Sequence, residues 1–171
     1  MISPNGWSRN DSPKFRKRLI PILTVGATEQ LTATILAHSI VGYDTHWTKS
    51  GTRPHMQGDN LCQWCLLNAP KKWRGFLHVY HHAKKAEAFL ELTDFAWGNL
   101  EKLIGKGKSC RGHVCMFHRE RTTVKSPVVP VLLQTTPMCS DLPKPKDPTP
   151  TLMRVWGFEY TTGQQDVPAV N

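Results

Sequence analysis

A chain of 171 residues can bury one core without help from disulfides, and its 22 Lys and Arg against 13 Asp and Glu leave a formal charge of +9. No window approaches about 18 consecutive apolar residues, which excludes a membrane-spanning helix. The opening "MISPNGWSRNDSPKFRKR" is polar and then basic, with no apolar run before its charges, so an intracellular, cytoplasmic protein is expected.

The charge is unevenly spread. Residues 1–139 hold 19 Lys and Arg against 9 Asp and Glu, a difference of +10, whereas residues 140–171 hold 3 against 4, a difference of −1. Such an excess on the body of the chain points to a polyanionic partner, most often nucleic acid. Five cysteines, an odd number with no secretion signal, argue for thiols or metal ligands over a disulfide framework.

In chain order, residues 1–18 read as a basic flexible arm ending in "KFRKR". "LIPILTV" (19–25) is β-prone, but Pro21 confines it to an edge. "QLTATILAHSIVGY" (30–43) reads as one long strand, with a helix over 29–40 as the competing assignment. "WRGFLHVYHH" (73–82) alternates, with Trp73, Gly75, Leu77 and Val79 on one face and Arg74, Phe76, His78 and Tyr80 on the other. A turn at "AKKA" and a strand at "EAFLELT" (87–93) complete a hairpin. Thr93 or Asp94 as N-cap, apolar Phe95, Trp97, Leu100, Leu103 and Ile104, and the stops Gly105 and Gly107 predict a helix over 94–104. "CRGHVCMFHRER" (110–121) is extended, and "SPVVPVLLQ" (126–134) is an edge strand because Pro130 interrupts its donors. Residues 135–151 form a Pro-rich linker. The aromatic tail 152–171 carries "LMRVWGFEY" (152–160), which would add a last strand or dock on a protein partner.

These elements make residues 19–134 one domain, mainly β with one helix. Long strand, Cys/His loop, hairpin, helix, strand, strand is an order that resembles the OB-fold proteins that bind single-stranded nucleic acid, over roughly residues 30–134. The resemblance implies a five-stranded OB-like barrel, from which the long first loop, read here as a zinc-knuckle loop, is a departure. It also places Arg74, Phe76, His78 and Tyr80 on or near the binding face. Glu87 and Glu91 on the third strand depart from that pattern, since acids there oppose phosphate.

The loop carries its own signal. Cys62 and Cys65 in "CQWC" bring two sulfurs to one point from a tight turn, and His46 and His55 lie upstream with eight residues between them and six before Cys62. Gly51, Pro54 and Gly58 between the ligands suggest an irregular loop; about 20 residues without secondary structure need something to hold them, and structural zinc on His46, His55, Cys62 and Cys65 would do so. Cys110 and Cys115, with His113 or His118, form a rival set that alternation weakens, because the two cysteines face opposite sides of a strand. A thioredoxin-like use of CxxC fits poorly, since no βαβ pattern surrounds it and no helix is expected to start at Cys62. The zinc-deaminase and HExxH patterns are absent.

After the loop, Lys71, Lys72, Arg74, Lys84 and Lys85 interleave with Trp73, Phe76, His78 and Tyr80, and Arg111, Arg119, Arg121 and Lys125 form a second basic group. Cations for phosphates and flat side chains for bases are what single-stranded nucleic acid requires. His81 and His82 read as an exposed turn beside Lys84 and Lys85. The expectation is a zinc-stabilised, non-catalytic protein that binds single-stranded DNA or RNA. A protein-interaction adaptor or inhibitor of a nucleic-acid-processing complex is the alternative, and a metal-dependent nuclease built on His78, His81 and His82 is the enzymatic one.

Overall fold

The computed structural model describes residues 19–49, 51–55, 62–138 and 141–156. The basic arm 1–18 and the tail beyond residue 156 lie outside the described residues. The organising element is strand β5 (Lys71–His81), whose alternating "KKWRGFLHVYH" is one of the few long β-prone runs in the chain. A turn at residues 82–85 returns it as β6 (Ala86–Thr93), and the two pair antiparallel from Arg74–Thr93 to His81–Ala86.

The other edge of β5 is shared. Strand β2 (Gln30–Ile35) pairs with its C-terminal end, Ala33 to His81 and Ile35 to Val79. Strand β3 (Val41–Thr48) pairs with its N-terminal half, Val41 to Phe76 through His46 to Lys71. Between the two, five residues (36–40) stand opposite Leu77 and His78, and the amides of Leu36 and Ala37 both donate to the His78 carbonyl. This is a bulge, which bends a strand and raises its local twist. The expected strand over 30–43 is therefore two strands in line, broken by the bulge.

The expected loop also begins as structure. Strand β3 runs to Thr48 and returns as β4 (Gly51–Pro54), with Gly51 at φ 105° in the turn. Val41, Tyr43, Thr45 and Trp47 supply β-branched and aromatic residues at alternate positions, while the Gly and Pro that suggested a loop fall at its turn and its end.

Helix α2 (Asp94–Ile104) occupies the predicted range, with the Thr93 hydroxyl accepting from Ala96 N at 3.3 Å and Gly105 at φ 109° closing it. Strands β7 (Val114–Arg119) and β8 (Val128–Leu132) continue from β2, and β8 carries Pro130 on the outer edge as expected. Strand β1 (Ile22–Leu23) pairs parallel with Phe89 and Leu90 on the outer edge of β6. The path is β1-β6-β5-β2-β7-β8, with β3 and β4 branching from β5.

The protein is thus mainly β, with one mixed sheet that stays open. A closed five-strand barrel would need β6 to pair with β8, and no such pairing occurs among the described residues. Part of the outer edge of β6 is taken by β1, and α2 lies against both β6 and β8 across the gap. Two short helices, α1 (Gln63–Leu66) and α3 (Thr149–Val155), add to the single one predicted.

One sheet face carries the main core, where Leu31, Ile35, Leu77, Val79, Leu90 and Phe117 meet Ala96, Leu100 and Ile104 of α2. On the opposite face, Leu152 and Trp156 are buried against Phe76, with the Trp156 ring edge-on to Tyr43 at 5.5 Å. The Tyr43 hydroxyl bonds to the Thr149 hydroxyl at the start of α3. Of the segment 152–160, expected as a strand or a partner-docking segment, residues 152–155 are helix; Leu152 and Trp156 pack on the sheet while Arg154 and Val155 are exposed.

Gly42 and Gly75 are cross-strand partners, and the Trp73 ring lies over both. A Cβ on Gly75 would fall well inside van der Waals contact with Trp73 and Ile40. Gly75→Ala should lower stability in urea denaturation by roughly 1–3 kcal/mol through overpacking. Gly98→Ala on α2, where nothing lies within 4 Å of the added carbon, should raise it by about 1 kcal/mol.

Candidate metal centre

The bulge carries β3 onto the N-terminal half of β5, and alternation along it decides which side chains turn toward the Cys pair. His46 is buried at 1% exposure and turns in, while Trp47 beside it is 61% exposed. His55 follows β4 and is held by its amide to the Asp44 carbonyl at 2.8 Å. Cys62 caps α1, and Cys65 sits one turn later. Asn68 at φ 52° and the Ala69 amide, which bonds the Trp64 carbonyl, then reverse the chain into β5. A helix does begin after Cys62, against expectation, but it is a single turn that serves as a knuckle.

The ligand atoms of His46, His55, Cys62 and Cys65 all lie within 4.8 Å of one another, the one such group of three or more His, Cys, Asp or Glu among the described residues. Cys65 Sγ is 3.5 Å from both His46 Nε2 and His55 Nδ1, and those two nitrogens are 2.9 Å apart. A tetrahedral ion with ligand bonds of about 2.0–2.3 Å has ligand-to-ligand edges of about 3.3–3.8 Å, so the cluster is close to that size. His46 Nδ1 lies 2.9 Å from the Ala69 carbonyl, which can only accept. The Nδ1 proton is fixed there, leaving the Nε2 lone pair aimed into the cluster. The spacing singled out the four ligands but not this orienting carbonyl. Desolvation, and then the neighbouring Cys62 thiol, push the Cys65 thiol up, with Lys71 opposing. A bound cation would reverse that balance. This His2Cys2 set could hold a metal ion.

No family model matches the chain, and neither a curated protein nor a solved structure does. The residues themselves carry the argument.

Cys110 and Cys115 stay apart from the cluster. Both are buried, which pushes their thiols up to about 11 and about 12. The three histidines of "HVYHH" do not converge either. His78 Nε2 bonds Glu87 at 3.0 Å, and His82 Nε2 bonds the Thr34 hydroxyl at 2.7 Å. His81 is not in an exposed turn as expected but buried within β5, where its Nδ1 accepts from Lys84 N and its Nε2 has no hydrogen-bond partner among the described residues.

The residues expected to contact nucleic acid are divided. Phe76 and His78, at 3% and 1% exposure, lie under the C-terminal segment, so neither is an open stacking surface. Arg74 is paired with Glu91 at 3.3 Å, and Lys71 with Asp44 at 3.0 Å. Arg111 donates to the carbonyls of Leu36, Leu142 and Pro143, and Arg119 to those of Val25 and Ser126. These arginines tie loops to the sheet. Lys72, Lys84, Lys85 and Arg121 are exposed and have no side-chain partner among the described residues. Tyr80 is half-buried, with its ring 6.1 Å from that of His82.

His78 is the anchor of the C-terminal segment. Its Nδ1 accepts from Lys146 N at 3.1 Å, while Glu87 takes both the His78 Nε2 proton and Lys146 Nζ, the latter at 2.5 Å. Burial holds the imidazole below its ordinary value despite Glu87, with Lys146 and Arg111 opposing its charge as well. Burial alone would raise Glu87, but Lys146 and then His78 outweigh it and hold the carboxyl low.

Two outcomes are expected. Purified protein should carry one equivalent of metal by elemental analysis. Cys62→Ser with Cys65→Ser should lose it, lowering the melting temperature by at least about 2–4 °C, the equivalent of 1 kcal/mol in a chain of this size. For pH, the unfolded chain protonates at His78 first, near pH 6.5, so the stability this group holds above that pH is lost as pH falls through its lower folded value. Urea midpoints of wild type and His78→Gln should therefore converge as pH falls from about 7 to 5. A constant difference would show that His78 is not the titrating anchor.

Proposed function

We propose that the protein binds single-stranded DNA or RNA without catalysing a reaction, and that zinc on His46, His55, Cys62 and Cys65 holds the β3–β4 hairpin to the α1 knuckle. Two cysteine sulfurs and two imidazole nitrogens within 4.8 Å of one another favour zinc, and four protein ligands would leave no position for a reacting water, so the ion would be structural. The five strands β6-β5-β2-β7-β8, with a helix between the hairpin and the last two strands, are consistent with an OB-like origin of the sheet.

The observation that carries the reading is the part of the sheet left open by the C-terminal segment. Register places Tyr80 with Thr34, Thr32 with Met116 and Val131, and Gln30 with His118 and Val129, all on the face opposite the main core. Tyr80, Met116, His118, Val129 and Val131 are partly exposed, and His82 is exposed. Lys84 and Lys85 in the β5–β6 turn and Arg121 and Lys125 in the β7–β8 connection rim the same end, since His82 N bonds Thr32 O and Gln30 pairs with His118. Half-open aromatic and apolar groups, bordered by cations with no acidic partner among the described residues, suit bases and phosphates together.

Fluorescence anisotropy with labelled oligo(dT) and oligo(U) tests this. The logarithm of the affinity should fall linearly with log salt, and Lys84→Ala, Lys85→Ala and Arg121→Ala should each reduce the slope by about 0.7. Absence of binding at about 20 mM salt would end the proposal.

A further inference from the structure

We infer that Trp47, fixed from behind by the metal cluster, is a second contact for single-stranded nucleic acid, a platform on which one base stacks while Lys49 and Lys72 meet the flanking phosphates. The inference rests on the nucleic-acid reading but places this contact at the other end of β5 from the Tyr80 surface. The N-terminal end of β5 and the turn with Lys84 and Lys85 lie at opposite ends of a strand about 35 Å long.

Three observations on the hairpin carry it. Trp47 is 61% exposed, although an indole is among the costliest side chains to leave in water. Its backbone is nonetheless tied on both sides, to Thr52 in β4 and through its amide to the Pro70 carbonyl at 3.2 Å. The preceding residue, His46, is a buried cluster ligand pinned by the Ala69 carbonyl, so the ring stands on a constrained backbone.

The surroundings are cationic. Lys72 pairs with Thr45 and is the diagonal neighbour of Trp47 on the same face, about 7–8 Å away between backbones. Lys49 follows two residues on. Both are exposed, and neither side chain has an acidic partner among the described residues, whereas Lys71 next door is neutralised by Asp44. An aromatic plane with uncompensated ammonium groups beside it complements a base with its phosphates.

The test is oligo(dT) affinity of the full chain at fixed salt, with metal content measured on every sample. Trp47→Ala should weaken binding about 5- to 150-fold, the range for one stacked base, with metal content and salt slope unchanged, and Trp47→Phe should recover most of it. Oligonucleotide should also quench tryptophan emission in wild type more than in Trp47→Ala. In metal-stripped protein the alanine variant and the wild type should converge. Wild-type affinity in Trp47→Ala would overturn this inference and leave the nucleic-acid reading standing. A loss shared fully by Trp47→Phe, or one that travels with loss of metal, would overturn it as well. If wild type binds no oligonucleotide at low salt, both fall.

Discussion

A strand as long as β5 has two edges whose amides and carbonyls must find partners, and the way its second edge is filled shapes the rest of the molecule. Strand β6 follows directly and takes one edge through a tight turn. The other is filled from a single run of chain that places five residues against two at 36–40. The resulting bend separates what lies before it from what lies after it. Before the bend, β2 is free to recruit β7 and β8 and build the core under α2. After it, β3 continues along β5 and pairs with β4 as a hairpin, and the His2Cys2 cluster forms there.

The two faces of β5 then meet different fates. One is closed by α2, as for any amphipathic helix on a sheet. The other is covered for half its length by a segment some 70 residues later in the chain, bound through polar contacts that a half-buried surface must satisfy: Lys146 to His78, Lys146 to Glu87, and Arg111 to the carbonyls of residues 142 and 143. Glu87, an acid that sits badly on a phosphate-binding surface, has a role here as the partner of a histidine and a lysine. Covering Phe76 and His78 moves the open surface toward Tyr80 and the β7–β8 end.

The cluster is a small instance of the same economy. A strand residue, a residue just past a strand and the two ends of a helical turn supply the four ligands. Strand alternation does two jobs at once, since turning His46 inward obliges Trp47 to turn out. A metal here would cross-link the hairpin to the knuckle and offset the cost of ordering the chain between them.

By itself the sequence determined the features written in neighbouring residues. Helix α2 and its Thr93 cap, the β5–β6 hairpin, the edge position of the Pro130 strand and the four metal-type ligands all follow from capping, alternation, proline chemistry and spacing, which act over a few residues. The β3–β4 hairpin was hidden because its Gly and Pro resemble those of a loop. Only the tertiary structure decided that the sheet stays open, that 30–48 is two strands joined by a bulge, that Arg111 and Arg119 bind carbonyls, and that Phe76 and His78 lie beneath α3 and its approach. Each of these depends on which distant segment arrives at a given edge or face. That is settled by competition for the same hydrogen-bonding edges and apolar area across the whole chain, and no local pattern encodes it.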